Sequence, residues 1–433
     1  MVFLVAKVGR VRCKPFIAPI TMSLRALRSE EKDADEAEEA LKGQVPRKEP
    51  DFMQDLIMDP HLAKNMYPAE KIQREKDSLA KGQHCSHMAE FITPEMFEAY
   101  KNLTSGGNGN WTFARAINTG VQFPRAYMGI HAGDPESYDA FIDMYKPCVE
   151  RYHTGFKWDA EHAHRTDLNV DHVDADLTDL ASSMIVSSRI RVARNLAAPF
   201  TMNPNGTAVT RVAVLNMVRQ CVETFPCELA GTVYAHADMS PEEEQQLIND
   251  HILFKGRDAR QAACGYHQFW PAGRGVFCSS DKTFNMWINE GDHLRIMCMF
   301  LNSDIKGVLA KLATGIAAME SAISQVTGNP NPIATHPILG CITCCPTNLG
   351  TGCRASVMMD LPNLMKKLGL HGIDQICAQN HCQARGSTGE FSDVTEGHRC
   401  DISNRYRLGH SEAELVAQMI RTANLLAEEE AKA

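Results

Sequence analysis

The segment Ile185–Val192, IVSSRIRV, mixes apolar and polar residues in the manner of a β-strand and carries Arg189 and Arg191 two positions apart. Successive strand side chains point to opposite faces, so these two arginines leave the backbone from one face. Other arginines stand in comparable settings. Arg295 lies in the largely apolar run His293–Phe300, Arg354 follows the turn Gly350-Thr351-Gly352, and Arg385 opens Arg385-Gly386-Ser387-Thr388-Gly389-Glu390, a Gly-rich stretch without core residues. A guanidinium among apolar strand residues is costly unless an anion meets it. An internal ion pair with Asp or Glu would serve for any one of them. For several together, a polyphosphate cradle accounts for the pattern better.

The 433 residues leave room for two or three domains. Residues 29–50 are dominated by Glu, Asp, Lys and Ala and read as a solvated helix or linker. Residues 51–84 give no clear element. From about 85 to 160 the pattern is helical. Thr93 caps a helix that opens at Pro94, Ser105–Asn110 forms a Gly/Asn loop, and Ser137–Cys148 predicts a short amphipathic helix. A second regime begins near Ala181. Strands are expected at Ile185–Val192, Gly275–Ser279, Thr283–Asn289, His293–Phe300 and Pro337–Cys344. Long helices are expected at Ile305–Val326 and after the capping box Ser411-Glu412-Ala413-Glu414. The expected organisation is α+β. An extension spans 1–84, a small all-α domain 85–180, and a larger domain 181–433, in which an antiparallel sheet is flanked by helices.

Net charge is −9, which argues against a nucleic-acid partner. No apolar run approaches the roughly 20 residues of a membrane span. The 15 cysteines are scattered along the chain, as in a reducing compartment. Cys341-x-x-Cys344 with Cys377, His381 and Cys382 admits a zinc site, although buried structural thiols are the commoner fate and no metal ligand is assigned. Lys7, Arg10, Arg12, Lys14, Arg25 and Arg28 all precede the first acidic residue, Glu30. Such a segment suits organelle import or a plain tail with an internal start at Met22, so a mitochondrial and a cytoplasmic location are equally expected.

Neither a G-x-x-x-x-G-K-[ST] loop nor the protein-kinase motif set is present. Cys345 ends a strand pattern and precedes Pro346, the Thr347 hydroxyl and a glycine turn, a placement that fits an exposed, activated thiolate. A buried inert thiol suits Cys341 and Cys344 better.

Cys345-Pro346-Thr347-Asn348-Leu349-Gly350-Thr351 resembles the signature of the phosphagen (guanidino) kinases. The likeness runs in order through Gly133-Asp134-Pro135-Glu136-Ser137-Tyr138, Ser187-Ser188-Arg189-Ile190-Arg191, Asp250–Lys255, Trp270–Gly275, Trp287–Ile296, Arg354–Val357, Arg385–Glu390 and Asp401–Asn404, covering roughly residues 85–430. It implies a helical domain followed by an eight-stranded antiparallel sheet. It implies reversible transfer of the γ-phosphoryl of ATP, with Mg2+ on the nucleotide, to a guanidino nitrogen. By that likeness the ATP and ADP contacts are Ser187, Arg189, Arg191, His251, Arg295, Arg354, Ala355, Ser356, Val357, Arg385, Gly386, Ser387 and Thr388. Cys345 and Glu390 lie against the guanidinium, with Glu290 as a further catalytic carboxylate, and residues 386–400 form a lid. The partner is a small guanidino metabolite. Relatives range from monomers to octamers, a homodimer among them.

One position departs from the family. Two adjacent glutamates usually precede Asp-His-Leu-Arg, but here the run is Asn289-Glu290-Gly291-Asp292-His293. A charged hydrogen bond is worth roughly 1.5–3 kcal/mol, so the missing carboxylate opens a second reading, an inactive relative with a binding or regulatory role. The specificity loop, Pro124–His131, includes Tyr127, Met128, Gly129 and Ile130 and ends in His131. In the family the last position is tyrosine for arginine kinases and histidine for taurocyamine kinases. His131 therefore points to taurocyamine, with arginine kinase as the alternative. A histidine can offer a sulfonate an N–H and, when protonated, a charge.

Overall fold

The computed structural model describes residues 56–123, 126–254, 259–386 and 398–433. Its centre is an eight-stranded antiparallel sheet. The strands are β1 (Ile185–Arg194), β2 (Gly231–Ala235), β3 (Gly275–Ser279), β4 (Phe284–Ile288) and β5 (Leu294–Phe300). A separate two-residue pair, β6 (Thr335–His336) with β7 (Gly340–Cys341), precedes β8 (Arg354–Asp360), β9 (Cys382–Gly386) and β10 (Arg399–Asn404). The order across the large sheet is β2-β3-β4-β5-β1-β8-β10-β9.

Helices cover one face of this sheet. The helix Ile305–Thr327 buries Val308, Leu309, Leu312, Ile316, Met319 and Ile323, a stripe at helical spacing, against β5 and β1. Its start is capped by Asp304, whose carboxylate accepts from the Gly307 N–H at 2.8 Å. Gly315 lets it approach the sheet, because a Cβ there would lie 2.2 Å from the Phe284 ring. The last helix, Glu412–Lys432, has the expected capping box at Ser411 and packs on β8 and β10. Ile190, Val192, Ala355, Val357 and Ile402 point into this shared core. Their neighbours in sequence point the other way, away from the helices.

The small domain has its own core around Phe97, Phe113, Ile117, Tyr138, Phe141 and Tyr145. Thr93 caps Pro94–Tyr100 as expected, its hydroxyl accepting from Met96 N–H at 3.1 Å. This core reaches upstream of residue 85. A helix at Ala69–Ala80 buries Ile72, and Leu62 joins the same cluster. The Asp59 N–H donates to Asn118 Oδ1 at 2.8 Å, and Glu75 accepts from the Ser86 N–H and hydroxyl at 3.1 and 2.8 Å. Residues 1–28 and 29–50 lie outside the described residues.

Two expected elements differ. The helix expected at Ser137–Cys148 is two helices, Ser137–Ala140 and Ile142–Tyr152, broken at Phe141, whose ring is drawn onto Phe113 and Tyr100 at 5.3 and 5.5 Å. The strand expected at Pro337–Cys344 shrinks to the two residues of β7. Gly340 turns the chain with φ +68, and the following carbonyls serve the small domain instead. Cys344 C=O accepts from Ala132 N–H and Thr343 C=O from the Tyr138 hydroxyl, both at 2.8 Å.

Candidate active site

Strand register decides where the arginines go. Arg191 pairs with Arg354 across β1 and β8, and Arg295 pairs with Ala193 across β5 and β1. Asp401 pairs with Met358 on one side and Arg385 on the other. Directly opposed residues share a face. Arg189, Arg191, Arg295, Arg354 and Arg385 therefore all stand on the face that the helices leave uncovered, together with Ser187, Ser356 and Asp401. Neighbouring strands are about 4.8 Å apart, so this row of cations crosses five strands, about 19 Å, and a triphosphate is met where the long arginine side chains converge over the sheet.

The row is partly held by carboxylates. Arg354 donates to Asp401 Oδ2 at 2.6 Å and through Nε to Ser403 Oγ at 3.1 Å. Arg295 lies 3.3 Å from Glu290 and stacks over Trp287 at 5.3 Å. Burial works against a charged Asp401, but Arg354, Arg189 and Arg191 outweigh it and keep the carboxyl below its usual pKa. Both readings of the arginines thus hold in part: ion pairs secure some of them, and the set still presents one cationic face.

A cavity of about 550 Å³ opens beside this face, between the two domains. Arg191, Arg295 and Arg385 reach it from the sheet. Tyr127, Gly129, His131, Arg151 and Tyr152 line it from the small domain, and Tyr266, Gly291, Asp292, Cys345 and Thr347 lie at its junction. Cys345 is half-buried, with Sγ 3.1 Å from Thr347 Oγ1. The expectation of an activated thiolate needs correction: burial raises its pKa above the usual thiol value, only partly offset by Thr347. Cys344 is fully buried, its Sγ 3.2 Å from Gly291 O, as expected of an inert thiol.

Asp292 is buried and accepts from Cys344 N–H and Asn195 Nδ2, both at 2.7 Å; burial nevertheless raises its pKa. Glu290 accepts from Gln261 Nε2 at 3.2 Å and turns to Arg295 instead of lining the cavity. His131 keeps its N–H role but loses the charged one, because burial lowers its pKa to about 4. Its Nδ1 finds no hydrogen-bond partner among the described residues.

Some expected contacts fall elsewhere. The Ala355 and Val357 side chains belong to the core under the sheet, and Ile130 and Met128 are buried in the small-domain core, although Met128 also touches the cavity. His251 is exposed beyond the helix Pro241–Asn249 and does not line the cavity. Gly386 ends β9, while Ser387, Thr388, Glu390 and most of the expected lid lie outside the described residues. The cysteines of the zinc alternative split between two cores, Cys341, Cys377 and Cys382 in one and Cys344 in the other. Among the described residues no group of three or more His, Cys, Asp or Glu is arranged to hold a metal. Sequence reasoning missed Arg151, Arg260, Tyr266, Arg405 and Arg407 on the cavity wall. The run Arg405-Tyr406-Arg407, directly after the Asp401–Asn404 motif, was a signal for two of them.

Residues 213–433 match the catalytic-domain model of the ATP:guanido phosphotransferases, and residues 82–150 match the N-terminal-domain model of the same family. The chain belongs to this family. An arginine kinase from Stichopus japonicus is 34% identical over 374 residues, covering 86% of this chain and 96% of its own length. An arginine kinase from Plodia interpunctella is 35% identical, over 81% of this chain and 94% of that protein. The lombricine kinase crystal structure superposes with a TM-score of 0.73 at 28% identity, over 80% of this chain and 92% of that one. The substrate-free duplicated taurocyamine kinase of Schistosoma mansoni gives 0.70 at 30% identity, over 80% of this chain and 47% of the duplicated one. Phosphagen kinase chemistry, the movement of a phosphoryl group between ATP and a guanidino nitrogen, thus matches the cationic face and the cavity next to it. No helix among the described residues is long and apolar enough to cross a membrane.

Proposed function

We propose that this phosphagen kinase acts on a small guanidino compound whose far end is a bare anion, with Mg-ATP as phosphoryl donor, and that among such compounds His131, through the family likeness, points to taurocyamine. The observation that carries this reading is the charge of the cavity wall. Arg151, Arg405 and Arg407 line it together with the sheet arginines, and among the described lining residues Asp292 is the sole carboxylate. A sulfonate tail meets cations and the His131 N–H there. Arginine would bring an α-ammonium into the same surroundings, where the carboxylates beside the small-domain loop stand back from the cavity wall, Glu90 3.4 Å from Arg151 and Glu75 accepting from the Ser86 hydroxyl at 2.8 Å. Arginine remains the second reading, because the curated relatives above are arginine kinases.

The transferred phosphoryl passes through a loose transition state with its charge on peripheral oxygens, so the protein's work is positioning and charge stabilisation. Arg189, Arg191, Arg295, Arg354 and Arg385 supply that charge from a rigid sheet. Removing one costs about 3 kcal/mol at the transition state, by comparison with the loss of an oxyanion donor. Mg2+ arrives on the nucleotide as part of the substrate. Cys345 and Asp292 face the guanidino group, and Glu390 is assigned beside them by the family likeness.

A coupled assay with taurocyamine, arginine, creatine and glycocyamine tests the reading. Taurocyamine is expected to give the highest kcat/KM, and His131→Tyr to move the ratio toward arginine. Equal kcat/KM ratios in the two proteins would refute the tail assignment, and turnover of none of the four would favour the inactive relative.

A further inference from the structure

Gly291 lies on the cavity wall with its backbone outside the left-handed region, so backbone conformation does not demand a glycine there. Space does. A Cβ at 291 would stand 2.7 Å from Tyr266 Cε2 and 3.2 Å from both Cδ2 and Cζ. The two carbons flanking Cε2 are equally distant and only slightly farther, so the approach is onto the face of the ring. An approach in the ring plane, along the C–H bond, would leave the flanking carbons well behind. Glycine therefore admits the ring against the backbone and puts no side chain between that face and the cavity, which Tyr266 itself lines.

The ring is held from several sides. The Tyr266 N–H donates to Gln261 O at 3.0 Å, and its carbonyl accepts from the fully buried Arg274. The carbonyl of Gly265 accepts from the buried Arg211 at 3.2 Å. Gly265 itself has φ +92, with the Pro204 carbonyl 2.6 Å from where a Cβ would sit. The His131 ring stands edge-on to Tyr266, with centroids 6.0 Å apart. Burial raises the phenol pKa well above its ordinary value, so the ring stays neutral and is no proton acceptor. The nearby carboxylate, Asp292, already accepts two hydrogen bonds from Asn195 and Cys344.

We propose that Tyr266 positions the guanidinium of the substrate, its ring face making a cation–π contact next to Asp292 and Cys345 that Gly291 makes room for. The inference rests on the family's guanidino substrate and not on the nature of its tail. A partly desolvated contact of this kind is worth about three- to thirtyfold in binding.

The test is steady-state kinetics of Tyr266→Phe, Tyr266→Leu and Gly291→Ala. Phenylalanine keeps the ring face, so the KM for the guanidino substrate is expected to stay within about twofold of wild type. Leucine is expected to raise that KM about three- to thirtyfold while the KM for ATP is unchanged, the latter reporting an intact fold. Gly291→Ala presses a methyl on the ring and is expected to raise the guanidino KM as well, giving a second reading if the leucine variant folds poorly. An unchanged guanidino KM in Tyr266→Leu, or in Gly291→Ala where the leucine variant has lost ATP binding, overturns the proposal. So does a Tyr266→Phe defect equal to that of leucine, which would assign the contact to the hydroxyl. Wild type that turns over no guanidino compound would remove the functional reading together with this one. Active wild type indifferent to these changes would remove this one alone.

Discussion

Asp401→Asn separates the two jobs of the arginine face. Asp401 stands among Arg189, Arg191 and Arg354, and it takes a 2.6 Å hydrogen bond from Arg354, whose side chain is almost fully buried. Removing one partner of a buried ion pair costs about 3–5 kcal/mol, because the other charge stays buried. Asparagine keeps an acceptor oxygen, and Ser403 keeps its bond to Arg354 Nε, which places the loss near the lower end, about 3 kcal/mol. At about 2.1 cal/mol/K of unfolding entropy per residue, a chain of this size loses about 1.1 °C of Tm per kcal/mol, so the apo protein should melt about 3 °C lower. Polyphosphate supplies the missing negative charge. Saturating Mg-ATP should therefore raise the Tm of Asp401→Asn by more than it raises that of wild type, closing part of the gap. Differential scanning fluorimetry with and without Mg-ATP measures both shifts. Equal nucleotide-induced shifts in the two proteins would refute the idea that the same arginines serve Asp401 and the phosphates.

Two further outcomes are expected. Cys345→Ala should cut kcat far more than Cys344→Ala, whereas Cys344→Ala should lower Tm more, since its thiol is buried against Gly291; the reverse order would mean that the wrong thiol faces the substrate. Burial holds His131, His164 and His293 at pKa values of about 4, and His153, His236 and His267 at about 3, all below the ordinary 6.5. The unfolded chain then binds more protons than the folded one as pH falls below about 6.5, so these groups stabilise the fold above that pH and withdraw stability progressively toward pH 4. Glu75, pushed up to about 7 by burial, and Asp292, Glu320 and Glu412, each raised by burial, work in the opposite sense, but His87, lowered to about 4, adds a seventh ring to the histidines. Tm should be flat near neutrality and drop steeply between pH 6.5 and 4; a flat profile through that window would contradict the burial of these rings.

The IVSSRIRV pattern made the shared face of Arg189 and Arg191 legible in the sequence, because the strand period acts within one segment. That Arg295, Arg354 and Arg385 join the same face was not legible from their local runs. It depends on which residues oppose each other across strands distant in sequence, and the family likeness supplied it. The strand expected at Pro337–Cys344 failed for a related reason. Its apolar residues suit a strand, but Gly340 turns the chain and its carbonyls are claimed by Ala132 and Tyr138, partners some 200 residues away. Gly291 stood out as a missing carboxylate. Tyr266, which fills that space, belongs to no motif, and only the fold brings it against a residue 25 positions later.

The loop that carries Cys345 belongs by sequence to the large domain but packs into the small one. Ile342, Cys344 and Leu349 are buried in the same cluster as Met128, Ile130 and Tyr138, and Tyr266 joins them. The sulfur, the ring and the loop ending in His131 therefore travel as one rigid body in any hinge motion against the rest of the sheet. The distance from guanidino end to tail end becomes a fixed gauge, set before the nucleotide side approaches. A guanidino compound one methylene too long is then expected to show its penalty in KM before it shows one in kcat.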